Sequence, residues 1–573
     1  MASDARALAT RLADLDDAAL ARILAARGVS PQASWHDFFD AAEGLLDPSS
    51  IDRALTRLDR QDLVALAGDA ASADGGPGRF GLVDADGAPY AAVAERIAAA
   101  ATASPAAFAA PSAVPEPTEA DPRAAAAAAE RALTTAGSLT DVLLACLHTP
   151  LARTGAGPVS AVERRRLTDA GAIALPDDLE DLLASAAAAG LATPQEREWT
   201  VTEAGEDWLA TPTAERWAAV AEGFRARLPR GLRTPGGGFV PPAAWSDAYP
   251  LDPEWLERAQ HLVRIGARWG LFDADALDAE FPWTSVLRAG ERADAATMAP
   301  YLPAEIDRVY LQADLTAIAP GPLAPALDLR LRSIAVRESR AQASTYRFTA
   351  ESLAAGMTEG ETAESLRTFL AELSLTGIPQ PLDYLIDSTA ARHGLVRVRT
   401  DASTGRTRIE STDAGLLDTI AVDQALRPLG FVPDGDALTS RVARDAVYWS
   451  LADARYPVMA LDSGGEPEPI HRRTAAARTT APASAADTYA RLIGTLRGGH
   501  GTDGEEGWLE RELEQAVRAR AEIVVVVRMP DGAERAFTLE AAGLGGGRLR
   551  GRDRAADIER TLPVSSIVSV HAA

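Results

Sequence analysis

Apolar residues recur three and four positions apart through the first hundred residues, a spacing that predicts short amphipathic helices. In "DLDDAALARILAARGVSP", Leu20, Ile23 and Leu24 share one helical face, and Gly28 and Pro31 end it. "SWHDFFDAAEGLL" starts a second helix at Ser34. "DPSSIDRALTRLDRQDLVALAG" reads as a third, with Ile51, Leu55 and Leu58 on one face and Ser49 placed to cap against Asp52. Three short helices in this rhythm over 1–100 suit a helix-turn-helix arrangement or a plain three-helix packing unit. The periodicity stops over 101–123, where "ATASPAAFAAPSAVPEPTEADPR" reads as a mobile Ala/Pro linker.

Helical spacing returns over 124–215. "TDVLLACLHTPLARTG" predicts one helix. "VSAVERRRLTDAG" predicts a second, with Ser160 and Glu163 at capping-box spacing and Gly171 at its end. "DDLEDLLASAAAAG" predicts a third, with Leu179, Leu182 and Leu183 on one face and Gly190 closing it. "LATPQEREWTVTEAGEDWL" then alternates like two short strands around a polar tip. Helix, helix, helix, hairpin is the order of a winged-helix domain. Such a module sets arginines from a helix or wing against DNA phosphates, and Arg153, Arg164, Arg165 and Arg166 are the candidates. The competing assignment for them is a solvated or partner-packing face, since three adjacent arginines span most of a helix's circumference. Residues 216–300 read as a connector, in which "GFRARLPRGLRTPGGG" is a looped, locally basic segment.

The pattern changes over 301–465. "RVYLQADLTAIAPGPL" is extended and interrupted by Pro320 and Pro322, and "APALDLRLRSIAVRESR" reads as a helix. "STYRFTAESLAAGM" predicts a strand and a short helix. "TEGETAESLRTFLAEL" predicts a longer one, burying Leu366, Phe369, Leu370 and Leu373. Pro379 and Pro381 break that helix and set the start of the next, because proline lacks an amide donor and restricts its predecessor. That corner holds shape and carries no chemistry. The next helix turns Leu382, Leu385 and Ile386 inward, and "LVRVR" and "RTRIES" follow as strands. Arg392, Arg397 and Arg399, with His393, make a basic strand edge that could face DNA or solvent.

Residues 466–487 again read as a linker. Over 488–573 two helices precede short, evenly spaced strands, as in a small barrel, with Asp531-Gly532 as a hairpin turn. Arg548, Arg550, Arg552 and Arg554 fall on one face by the two-residue period of a strand. They suit an anionic ligand such as nucleic acid, or else a face charge-paired with Asp553, Asp557 and Glu559. "GLGGGRLRG" is followed by strand-like alternation rather than a helix, so it reads as a turn and not as a dinucleotide loop.

Composition narrows the chemistry. The sequence has neither lysine nor asparagine, a bias that fits a GC-rich genome. Without lysine there is no P-loop, kinase-type or Schiff-base lysine. The seven histidines are scattered without metal-ligand spacing, the lone Cys146 sits among leucines as a core residue, and no nucleophile elbow appears. No metal, cofactor or catalytic residue is therefore expected. No apolar run approaches the roughly 18–20 residues that span a bilayer, and the N-terminus lacks the order of a signal peptide, which predicts a cytoplasmic protein away from membranes. A net charge of −25 restricts nucleic-acid contact to local arginine clusters.

The run from "VYLQADLTAIAPGPLAP" through "TYRFTAESLAAGMTEGETAESLRTFLAELSLTGIPQPLDYLIDSTAARHGLVRVR" resembles the helicase-associated domain related to the N-terminal region of XPB-type helicases, over Tyr301 to Leu461. The first 300 residues resemble the helical and winged-helix parts of stand-alone bacterial proteins that carry this domain without a motor. "GGRLRGRDRAADIERTLPVSSIVSV" resembles the WYL domain, an Sm-like barrel, although the Trp-Tyr-Leu triplet is absent. These resemblances imply a multi-domain, helix-rich α+β protein with helical and winged-helix modules, an α/β helicase-associated domain and a small C-terminal β-barrel. They imply a non-enzymatic accessory role in DNA repair, with DNA and an XPB-like helicase or other repair protein as partners. The alternative is a winged-helix/WYL-type transcriptional regulator. A nuclease, which would need clustered carboxylates, ranks behind both.

Overall fold

A computed structural model describes residues 2–68, 72, 75–111, 113, 116–340, 343–468, 470, 484–499, 505–530, 532–554 and 556–572. It is a helix-rich α+β protein with several small sheets. In the N-terminal unit, helices Ala2–Asp14, Asp17–Arg27, Phe38–Leu46, Pro48–Leu55, Arg60–Ala67 and Ala91–Ala103 surround a core that includes Leu8, Leu24, Phe38 and Ile51. Aspartates set the boundaries. Asp37 accepts from the amides of Phe39 and Asp40, both at 2.9 Å, so the second predicted helix starts at Phe38 rather than Ser34. Asp47, not Ser49, caps the next helix. Asp59 caps a further one, which splits the long helix predicted from Asp47 in two.

This core is completed from the other end of the chain. Helix Ala485–Gly499 inserts Tyr489, Leu492, Ile493 and Leu496 into it, and the Tyr489 hydroxyl donates to the Val29 carbonyl at 2.6 Å. The helix was expected to belong with the C-terminal strands. Its apolar stripe announces burial but not the partner, which is a tertiary choice.

The expected linker 101–123 is fastened at several points. Helix Ala91–Ala103 runs into it, Arg60 donates to the Ala106 carbonyl at 2.6 Å, and Thr118–Glu119 pairs in parallel with Ala279–Glu280. Ala/Pro composition removes an apolar face, yet the backbone still pairs. Most of the expected linker 466–487 lies outside the described residues, as does Asp531 of the predicted hairpin turn.

Next comes a helix Pro122–His148, strand Leu151–Ala152, helices Ala161–Asp169 and Asp178–Ala188, and strands Ala192–Pro194 and Glu198–Val201. The three strands form one sheet with Glu198–Val201 in the centre. Asp121 caps the first helix, with Pro122 in its first turn, so it starts far upstream of the predicted one. Cys146 is buried there and donates to the Trp199 carbonyl at 3.2 Å. Residues 216–300 share this core and are no mere connector. Trp217, Phe224, Phe239, Trp245, Phe272 and Trp283 pack edge-on and stacked, and the Trp217 and Trp283 indoles donate to the carbonyls of Trp269 and Gly270 at 2.8 and 2.7 Å. The arginines expected in a loop are used locally: Arg225 ends helix Thr213–Arg227 paired with Glu222, and Arg233 donates to the Leu228 carbonyl at 2.6 Å. Aromatics spaced without a period carry no pattern in sequence.

The third region has two layers of sheet. Strands Tyr310–Leu311, Thr316–Ala319, Ser344–Arg347 and Val336–Arg340 form a four-stranded sheet in that spatial order. Helices Pro325–Ile334, Ala350–Thr358, Ala363–Leu373 and Gln380–Arg392 share its core. The helix predicted to run through Arg340 ends at Ile334, and "VRESR" is a strand. Reciprocal Thr349/Ser352 and Thr362/Ser365 capping boxes start two of the helices. A second sheet has the order Val432–Asp434, Ala437–Ser440, Thr407–Ser411, Val396–Thr400, Val458–Ala460, and packs Val396, Val398 and Ile409 against Ile420, Val447 and Leu451.

At the C-terminus, helix Glu505–Ala519 packs on an antiparallel sheet ordered Ile558–Pro563, Arg548–Asp553, Glu534–Gly545, Glu522–Arg528, Ile567–Ala572. Gly546 and Gly547, at φ 60° and 70°, make its tightest turn, where "GLGGGRLRG" predicted one. Among the described residues no pairing joins the two edge strands, so the sheet stays open where a closed barrel was expected. Period-two alternation predicts strands; closure depends on tilt and stagger, which it does not encode.

Candidate nucleic-acid interface

Each arginine singled out in the sequence is either spent on the fold or available to a ligand. Arg153 is spent. It donates to the Gly157 carbonyl at 2.8 Å and to the Gln195 carbonyl, and its guanidinium stands 5.9 Å from the Trp199 ring, so it ties down the hairpin. Ser160 accepts from the Glu163 amide at 3.3 Å and starts helix Ala161–Asp169, on which Arg166 pairs with Glu163 at 2.7 Å. Arg164 and Arg165 have no side-chain partner among the described residues, and Arg165 is exposed.

On the second sheet, Arg399 is paired with Glu410 at 3.0 Å, and Arg392 donates back to the Ser388 carbonyl at 3.0 Å. Arg397 is exposed and has no side-chain partner among the described residues. Glu410 also takes Arg408 at 2.6 Å, an arginine the sequence reading passed over, and the two guanidiniums hold its carboxyl below the usual carboxylate range.

The C-terminal row divides the same way. Arg552 pairs with Asp557 at 2.6 Å and Arg554 with Glu540 at 2.8 Å. Arg548 and Arg550 are exposed, without a side-chain partner among the described residues, and on one face of their strand, opposite Gly545 and Gly543 on one side and Pro563 and Thr561 on the other. Neighbours without charge or bulk leave both guanidiniums open to a phosphate backbone. The unpaired set is therefore Arg164, Arg165, Arg397, Arg548 and Arg550.

Sequence reasoning also missed a cleft of about 890 Å³ between helix Pro122–His148 and helix Pro325–Ile334, lined by His148, Arg166, Arg330, Arg332 and Arg337. Its four arginines are all engaged, Arg166 by Glu163. Arg332 and Arg337 meet Asp141 at 2.8 and 2.5 Å, and Arg330 meets Glu361 at 2.8 Å while lying 4.3 Å from the Phe369 ring. The cleft is a charge-balanced seam, not an anion site. Asp141 gave no signal because it stands alone in an apolar run.

Among the described residues no group of three or more His, Cys, Asp or Glu side chains could hold a metal ion, and no helix is long and apolar enough to cross a membrane. Residues 309–432 match the family described as the helicase conserved C-terminal domain. The match runs from the strand at Tyr310 through the four-stranded sheet and its helices to the start of strand Val432–Asp434. This part of the chain is similar to that domain, a likeness confined to 309–432. No curated protein matches the chain.

Proposed function

We propose that the protein is a non-enzymatic accessory factor in DNA repair, binding DNA through its unpaired arginines and working beside an XPB-like helicase on another chain. The observation that carries this is a helicase C-terminal-type domain in a sequence without lysine, so no P-loop lysine can come from these residues. The order helix, strand, helix, helix, strand, strand over 122–201 supports a winged-helix assignment, with Arg164 and Arg165 on its second helix. Arg548 and Arg550 supply the second contact, on a WYL-like sheet.

The test is binding to single-stranded, duplex and forked DNA across a salt series, with an Arg548→Ala/Arg550→Ala variant in parallel. A repair factor prefers structure over sequence and loses affinity steeply with salt. No binding at low salt overturns direct DNA contact. The same winged-helix order favours a transcriptional regulator as the second reading, and a sharp preference for one duplex sequence would select it.

A further inference from the structure

A second cavity, of about 410 Å³, lies between helices Ala350–Thr358 and Ala363–Leu373 and the edge strand Val458–Ala460. It falls where the two cores of the helicase-type region meet: Met357 belongs to the first, Tyr448 and Ala460 to the second. Its size is within the range of about 300–1,000 Å³ usual for small-ligand sites. Met357, Met459, Ala363 and Ala390 form apolar walls, and the thioethers of the two methionines suit the face or edge of an aromatic ring.

Its polar end is His393, from the His-Gly pair that closes helix Gln380–Arg392. Gly394 is needed there: its φ is 79°, and a Cβ would lie 2.4 Å from Met459 Cε. The His393 imidazole makes no side-chain hydrogen bond or ion pair among the described residues, and burial holds it below the ordinary histidine pKa. A neutral imidazole offers one donor and one acceptor, a combination unused among the described residues. Nearby, the Tyr448 hydroxyl is already taken up by Thr358.

Charge decides what enters. The two carboxylates at the rim are both neutralised, Glu361 by Arg330 at 2.8 Å and Glu468 by Arg444. A cation therefore finds no counter-charge, and the interior suits an uncharged ring with hydrogen-bonding edges. Just outside, Arg397 stands directly opposite Met459 in the parallel pairing of strands Val396–Thr400 and Val458–Ala460, exposed and unpaired. An anionic group on the ring's substituent would meet it there.

We infer that this cavity is a nucleotide site, taking the base of a nucleoside monophosphate unit against Met357, Met459 and His393 with Arg397 on its phosphate. The nucleotide can be free or a unit of a single strand; the second case rests on the nucleic-acid function proposed above, and the first does not. In the strand, the site grips one unstacked base, exchanging stacking on neighbouring bases for contact with the cavity wall.

The experiment uses the full chain and two fluorescent probes, 2-aminopurine nucleoside monophosphate and a short single strand carrying one 2-aminopurine. Saturable fluorescence change is expected with both. Ala363→Phe and Ala390→Phe each fill the cavity from a different, partly buried wall and should weaken both probes about tenfold or more, a loss of about 1.4 kcal/mol. Arg397→Ala should weaken the monophosphate about tenfold and leave a third, uncharged probe, the 2-aminopurine nucleoside, unchanged. A response to the free nucleotide without one to the strand supports the cavity and defeats the nucleic-acid function. Strand binding with no response of the base, in protein that melts normally, overturns the cavity and spares that function. Responses undiminished in both cavity-filling variants overturn it as well.

Discussion

Arg332 lies 2.8 Å from Asp141, joining helix Pro325–Ile334, within the stretch similar to the helicase conserved C-terminal domain, to helix Pro122–His148 of the preceding unit. Arg337 shares the same carboxylate, which is only 5 % exposed. One buried anion thus serves two cations from a neighbouring unit. Asp141→Ala takes the shared carboxylate from Arg337 and leaves Arg332 only Asp328 at 3.7 Å in a partly dry seam, and breaking such a pair costs roughly 3–5 kcal/mol. Urea unfolding followed by tryptophan fluorescence should register that loss, and an unchanged midpoint would show the seam to be incidental.

Arg548 and Arg550 should act differently from Arg552 and Arg554, although all four lie along one segment. Each phosphate neutralised on a single strand contributes about 0.7 to the slope of log affinity against log salt. The Arg548→Ala/Arg550→Ala variant should lower that slope by about 1.4, whereas Arg552→Ala/Arg554→Ala, which removes cations already paired, should leave it nearly unchanged. Equal effects of the two double variants would refute the division.

Asp62 makes stability depend on pH near neutrality. Burial and then the neighbouring Asp59 push its pKa up to about 6 from 3.8, against the weaker pull of Arg230 and Arg79. A raised folded-state pKa means that the folded chain binds the proton more tightly. The stabilisation is full below about pH 4 and is lost as pH rises through about 6. Asp62→Asn removes the ionisation, so the variant's stability relative to the wild type should rise across this window. A difference that stays constant from pH 4 to 7 would contradict this.

Leu492 and Leu496 close the N-terminal core alongside the Tyr489–Val29 hydrogen bond, whose partners are 460 residues apart. Leu496→Ala should cost about 2–5 kcal/mol in that unit. Hydrogen exchange should accelerate in helix Asp17–Arg27 while helix Ala363–Leu373 keeps its protection. Acceleration confined to Ala485–Gly499 would mean that the helix docks without supporting the core.

Gly394→Ala should be destabilising by about 1–2 kcal/mol from its left-handed backbone alone, before the contact with Met459 is counted. Thermal unfolding compares it with Gly405→Ala, which has a similar φ of 67° and open space around it. A larger loss at Gly394 measures the close approach of Met459, and equal losses would show that the wall yields.

Where a signal is local, the sequence carried it. The helices bearing Leu179, Leu366 and Ile386, the Pro379 corner, the Gly546-Gly547 turn and the period-two Arg548, Arg550 and Arg552, though not Arg554 beyond the strand's end, are determined by side-chain spacing and backbone restriction within a few residues. Residue types bear on chemistry in the same way, since a sequence without lysine holds no P-loop lysine. Tertiary structure alone decided which arginine finds a carboxylate, that Ala485–Gly499 belongs to the first core, that 216–300 is core rather than connector, and that His393 faces a cavity with Arg397 beside it. The reason is physical. Periodicity specifies that a face will be buried or charged, but burial energy is non-directional and ion pairing needs contact within a few ångströms, so the choice of partner exists only once distant segments have met.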